Sequence, residues 1–130
     1  MITANNKEEL KALINQRIEE QGPNCDLNDI DVSGIVDMSL LFFNTDFNGD
    51  ISQWDVSNVR DMSFMFCRSK FNGDISRWNV TNVMDMCCTF LESRFNGDIS
   101  NWNVCTTEMT SMFRESTLEL NGKLPNWYNE

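Results

Sequence analysis

The sequence predicts an α/β repeat fold, a solenoid of about four 24-residue coils behind an N-terminal capping helix. The repeat itself predicts the solenoid. Phe47-Asn48-Gly49-Asp50-Ile51-Ser52 returns as Phe71-Asn72-Gly73-Asp74-Ile75-Ser76 and again as Phe95-Asn96-Gly97-Asp98-Ile99-Ser100. Trp54, Trp78 and Trp102 keep the same spacing. A fixed period in this range marks units that bury their apolar faces only by stacking on one another. The helix is predicted by a stripe of apolar residues at 3.6-residue spacing that stands outside the repeat.

That helix is expected over residues 5–21. Asn6 followed by Glu9 forms a capping box, and Leu10, Leu13, Ile14 and Ile18 make one apolar face. Gly22 and Pro23 stop it. Residues 1–23 thus read as a cap over the open end of the core. A degenerate first coil is expected at 24–46, because Asp31-Val32-Ser33-Gly34-Ile35 matches Asp55-Val56-Ser57-Asn58-Val59 at an offset of 24. Full coils follow at 47–70, 71–94 and 95–119, and a half-coil at 120–130 closes one structural domain. In the half-coil Pro125 takes the place of Ser52. Lacking an N–H, it is suited to blunting the edge.

Within one coil Ile51, Trp54 and Val56 have the spacing of a leucine-rich repeat, with a short strand expected around Trp54-Asp55-Val56. Val59, Met62 and Phe66 then follow helical spacing, with Ser57 or Asn58 placed to cap that arc. Asn48-Gly49 signals a turn in which glycine tolerates positive φ.

The run Phe-Asn-Gly-Asp-Ile-Ser-x-Trp-Asp/Asn-Val, followed by Asn-Val-x-Asp-Met at Asn58–Met62 and Asn82–Met86, resembles the BspA-like leucine-rich-repeat family of bacterial proteins. The resemblance covers residues 24–127 and is to a short, leaderless, bacterial or phage-type member. It implies a right-handed leucine-rich-repeat-like solenoid and, from the large secreted members, adhesion to host or bacterial proteins. The third full coil departs from the pattern, with Cys105-Thr106-Thr107 in place of Ser57-Asn58-Val59.

Composition narrows the chemistry. With 20 acidic and 10 basic residues, the net charge of −10 disfavours nucleic acid and anionic membrane as direct partners, since phosphate contacts need clustered Lys and Arg. It permits a basic protein partner. No run approaches the length of a membrane span, and no apolar leader follows the start, so a cytoplasmic protein is expected. The 5 cysteines fall at different repeat positions, no Cys-x-x-Cys occurs and there is no histidine, so neither a metal nor a disulfide framework is expected. No nucleophile–base pair is visible, and no enzyme activity or cofactor is expected. The Gly-Asp pairs at 49–50, 73–74 and 97–98 read as turn acceptors rather than calcium ligands, because one such Asp recurs per coil.

The expected binding surface is the outward row beside the inward Trp and Val: Asp29 and Asp31, Gln53 and Asp55, Arg77 and Asn79, Asn101 and Asn103. Between Arg17 and Arg60 there is no basic residue, while Glu19, Glu20 and seven aspartates lie there. The reading is a monomeric, non-enzymatic protein–protein interaction module that uses this face and its acidic N-terminal half. Two alternatives stand beside it: an acidic inhibitor or nucleic-acid mimic acting on a basic host or phage protein, and a secreted adhesin whose leader is absent.

Overall fold

The computed structural model describes residues 1–105 and 108–129. Thr106 and Thr107 of the third-coil departure, and Glu130, lie outside the described residues. The expected α/β leucine-rich-repeat-like solenoid of four coils is not what forms. Among the described residues the chain is mostly non-regular, with two helices, α1 (Lys7–Gln21) and α2 (Thr117–Leu120), and one two-stranded parallel sheet of β1 (Ile2–Thr3) and β2 (Ile30–Asp31). The strand expected at Trp54–Val56 and the helical arc expected from Val59 to Phe66 are both turns and extended links.

The arc fails as a helix because its N–H groups go elsewhere. Phe64, Arg68, Cys88 and Glu92 all adopt φ between 54° and 58°. Their equivalents Leu40, Asn44, Ser111 and Glu115 are left-handed too. Each such residue costs about 1–2 kcal/mol in a non-glycine. In return Phe64 donates to the Cys87 carbonyl at 3.0 Å and Arg68 to the Leu91 carbonyl at 2.9 Å, both in the next repeat. Intervening residues close local turns, as Met65 does on Met62 at 3.1 Å. The 24-residue period is therefore kept as hydrogen-bond register. Isolated parallel bridges join Asp26 to Asp50, Asp37 to Asp61 and Asp61 to Asp85.

The core is a set of aromatic columns. Phe42, Phe66, Phe90 and Phe113 stack at 5.6, 5.5 and 5.4 Å. Phe47, Phe71 and Phe95 form a second column at 6.0 and 6.4 Å. Near-parallel rings at these separations add about 0.5–1.5 kcal/mol per pair beyond the area they bury. The tryptophans add a polar tie. Trp54 Nε1 donates to the Leu27 carbonyl at 2.9 Å, Trp78 to Ile51 at 3.1 Å and Trp102 to Ile75 at 2.9 Å. Trp127 repeats the pattern on Ile99 at 2.8 Å and stacks on Trp102 at 6.2 Å.

Glycine is required at 49, 73 and 97 for space, not for positive φ. A Cβ on Gly73 would stand 2.7 Å from the buried Phe71 ring, and one on Gly49 would stand 1.8 Å from the Cys25 carbonyl. Neither glycine is among those with positive φ.

The N-terminal end is closed twice. Ile2 and Ala4 donate to the carbonyls of Asp29 and Asp31, which makes β1 an added edge strand. Helix α1 is capped by Asn6, whose side chain accepts from Glu9 N at 2.9 Å, and Gly22 at φ 90° ends it. Leu10 and Ile14 of α1 are buried, with Leu13 and Ile18 packed beside them. Its cations meet backbone acceptors that no earlier repeat can satisfy: Lys11 Nζ reaches the Leu41 carbonyl at 2.6 Å and Arg17 the Asp26 carbonyl at 3.1 Å. At the other end Glu119 of α2 accepts from Glu115 N at 3.0 Å.

Candidate interaction surface

Two kinds of turn corner build the outward face among the described residues. At the first, Asp50 Oδ1 accepts from Ser52 N at 2.9 Å and Ser52 Oγ at 2.7 Å, and Trp54 N closes on the Ile51 carbonyl. Asp74 with Ser76 and Asp98 with Ser100 do the same. This is the short-range side-chain acceptor geometry that aspartate favours at turns, and it agrees with the turn reading of the Gly-Asp pairs. Gln53, Arg77 and Asn101 stand exposed on these corners, and Asp29 on the corresponding corner of the first repeat. Ser52, Gln53, Asp74 and Arg77 surround a shallow cleft of about 120 Å³.

Asp55 Oδ1 accepts from Ser57 N at 3.0 Å and Ser57 Oγ at 2.6 Å at the second corner, and Asn79 repeats this with Thr81 at 3.1 and 2.7 Å. Asp31 accepts from Ser33 N at 2.9 Å. Asp55, Asn79 and Asn103 are exposed and Asp31 is half-buried. Asn58 does not cap a helix. Its Nδ2 donates across to the Ser33 carbonyl at 2.7 Å, and Asn82 does so to Ser57 at 2.7 Å. Every expected outward position but the half-buried Asp31 is therefore exposed, and at 31, 55 and 79 one oxygen of each side chain is already committed to the turn.

The acidic half is narrower than its sequence suggests. Asp29 is held by a two-pronged contact with Arg17, at 2.8 and 3.0 Å. That guanidinium keeps the Asp29 carboxyl below the usual carboxylate range. Lys7 pairs with Asp37 at 3.2 Å and Lys70 with Asp46 at 3.0 Å. Cations from α1 and from a later repeat thus fold onto a stretch that has none of its own. Among the described residues no ion pair forms at Asp31 or Asp55. The Ser57 hydroxyl and N–H hold the Asp55 carboxyl below its ordinary range, while the neighbouring Asp31 charge opposes them.

Sequence reasoning missed an apolar groove of about 480 Å³ between α1 and the first repeat, where Ala12, Leu40 and Leu41 meet Lys7 and Lys11. Of its lining, Leu40 is a large apolar residue that the structure leaves partly in water. Cys25, Cys67 and Cys88 are buried, Cys87 is half-buried and Cys105 is exposed. Burial and the adjacent Cys88 push the Cys87 thiol up to about 11. No group of three or more potential ligating side chains is gathered among the described residues, and no described helix is long and apolar enough to cross a membrane.

A family described as "Mycoplasma protein of unknown function, DUF285" matches residues 9–127. The chain belongs to this family. The match starts within α1 and ends on Trp127, so the family pattern includes most of the helix and the last tryptophan of the column. No curated protein and no solved structure matches the chain.

Proposed function

We propose that this family member is a non-enzymatic protein–protein interaction module, a BspA-like protein that binds a partner through the corner rows. The observation that carries the reading is the pair Asp31 and Asp55. Two like charges on adjacent repeats are mildly destabilising, by a few tenths to about 1 kcal/mol. Neighbouring acids at 29, 37 and 46 form ion pairs, whereas among the described residues Asp31 and Asp55 form none, and Asp31 feels only the more distant N-terminal ammonium. A partner offering Lys or Arg there relieves that repulsion, and its approach is accelerated by the field. The exposed polar rungs Gln53, Arg77, Asn79, Asn101 and Asn103 extend the surface along the repeats. The reading includes a monomer working in the cytoplasm, in keeping with five thiols at unmatched repeat positions.

The test begins with affinity capture from the native cell. Kinetics are then measured on Asp31→Asn/Asp55→Asn and on Asn79→Ala/Asn101→Ala/Asn103→Ala. Asn already occupies the matching positions 79 and 103, so the first variant should keep the fold. Slower association, with a deficit that shrinks at high salt, is the expected result. Wild-type kinetics for both variants would exclude this surface as the interface.

A further inference from the structure

The repeat at 71–94 differs from its neighbours at two adjacent positions. Where the first two repeats carry Ser39-Leu40 and Ser63-Phe64, it carries Cys87-Cys88. Ser63 Oγ donates to Asp61 Oδ1 at 2.7 Å, whereas the Cys87 sulfur lies 3.5 Å from the sulfur of Cys88. Only the backbone N–H of Cys87 keeps the turn, with Asp85 Oδ1 at 2.9 Å. Cys88 is left-handed at φ 58°, and its N–H is fixed on the Thr110 carbonyl at 3.0 Å. Two thiols are thus held side by side on a backbone anchored at both residues, with Cys87 half-open to solvent.

We propose that Cys87 and Cys88 form a two-thiol binding site for a soft trivalent Lewis acid of the arsenical class. The separation selects the geometry. Two bonds to sulfur of about 2.3 Å that span 3.5 Å enclose an angle of about 100°. A linear two-coordinate ion needs the sulfurs about 4.6 Å apart at that bond length. A four-coordinate divalent ion needs further ligands, and no third ligating side chain is gathered with the pair among the described residues. A pyramidal centre that takes two sulfurs on one side and keeps its own organic substituent on the other fits both facts. The step is a condensation. An arsonous acid, R–As(OH)2, forms two As–S bonds and loses two As–O bonds. Each thiol proton leaves with a hydroxyl as water, and arsenic stays trivalent. No oxidant is required, and the step consumes thiols in their protonated form.

The probe is phenylarsine oxide, added to the full reduced chain and followed by intact mass. One arsenical per chain is expected, retained against excess glutathione and released by 2,3-dimercaptopropanol. Cys87→Ser and Cys88→Ser should each abolish the retained adduct. Serine stands at the equivalent positions 63 and 111, so both variants should fold, which a thermal melt checks. Cys25→Ser, Cys67→Ser and Cys105→Ser should each keep it. An unmodified parent chain, or an adduct that survives glutathione in either the Cys87 or the Cys88 variant, would overturn the assignment.

Discussion

Two stretches of this chain carry apolar residues at helical spacing, and only one is a helix. In α1, Leu10, Leu13, Ile14 and Ile18 lie on one face, Asn6 caps the start, and Gly22 N closes the end on the Ile18 carbonyl at 2.7 Å. In the arc, Val59, Met62 and Phe66 are as fully buried as Leu10 and Ile14. Yet Met62, Phe64, Phe66 and Arg68 each donate across to the next repeat, at 2.9 to 3.0 Å. The difference is what each backbone has beside it. One face of α1 is open to solvent, so its N–H groups are best satisfied within the helix. The arc lies against a copy of itself with carbonyls at the same period. Apolar spacing thus decides which side chains go inside, and the available acceptors decide the backbone conformation.

Removing one rung of a column should separate the two regions most. Phe66 stacks on Phe42, Phe71 and Phe90 and leans on Trp78. Phe66→Ala should cost about 3–5 kcal/mol in a denaturant melt, as a large aromatic lost from a packed core does. Leu13→Ala, on the half-buried flank of α1, should cost less. Equal losses would mean that the columns are no more important than the helix contact.

A methyl group tests the spacing between columns. The Cβ of Gly73→Ala would meet the Phe71 ring at 2.7 Å and the Gly49 carbonyl at 3.2 Å. A cost of about 1–3 kcal/mol is expected from overpacking. Gly34→Ala has open space around its Cβ and should be close to neutral. If the two variants melt alike, the close approach at 73 is not a constraint.

The aromatic columns and α1 were legible because both are written in apolar spacing, which the structure keeps: Trp54, Trp78 and Trp102 are buried, as are Leu10 and Ile14. The outward positions 29, 53, 55, 77, 79, 101 and 103 were legible for the same reason, as neighbours of inward ones. The backbone between them was not. Nothing in the residue types of Phe64, Arg68, Cys88 or Glu92 signals positive φ, since none is glycine or asparagine. Strand β1 was missed because its partner β2 is distant in sequence and its side chains are exposed. The pairing of Arg17 with Asp29 was missed because it joins the helix to the first repeat across the turn at Gly22.

The corner carboxylates make a smaller, pH-dependent contribution. Hydrogen bonds from Ser76 and Ser100 hold Asp74 and Asp98 below their ordinary range, and Asn28 with Ser52 does so for Asp50. A depressed folded-state pKa gives stability that is present above the unfolded value, about 3.9, and lost as pH falls through the folded one. The melting temperature should therefore fall as pH drops below about 4. Asp50→Asn/Asp74→Asn/Asp98→Asn should flatten that acid limb, and an unchanged limb would mean that these turns add no acid sensitivity.

The most direct test puts glycine into each of the two compared regions. Gln16 is an exposed position inside α1, where glycine should cost about 0.5–1 kcal/mol. Arg68 is an exposed position of the arc at φ 55°, where glycine relieves about 1–2 kcal/mol of left-handed strain. Greater unfolded-state freedom takes back about 0.4–1 kcal/mol of that gain. The exposed pair with Glu92 adds little either way. Denaturant melts should show Gln16→Gly destabilised and Arg68→Gly as stable as the parent or slightly more so. If Arg68→Gly loses as much stability as Gln16→Gly, the arc is not held in the left-handed conformation, and hydrogen bonding to the next repeat is not what keeps it from being a helix.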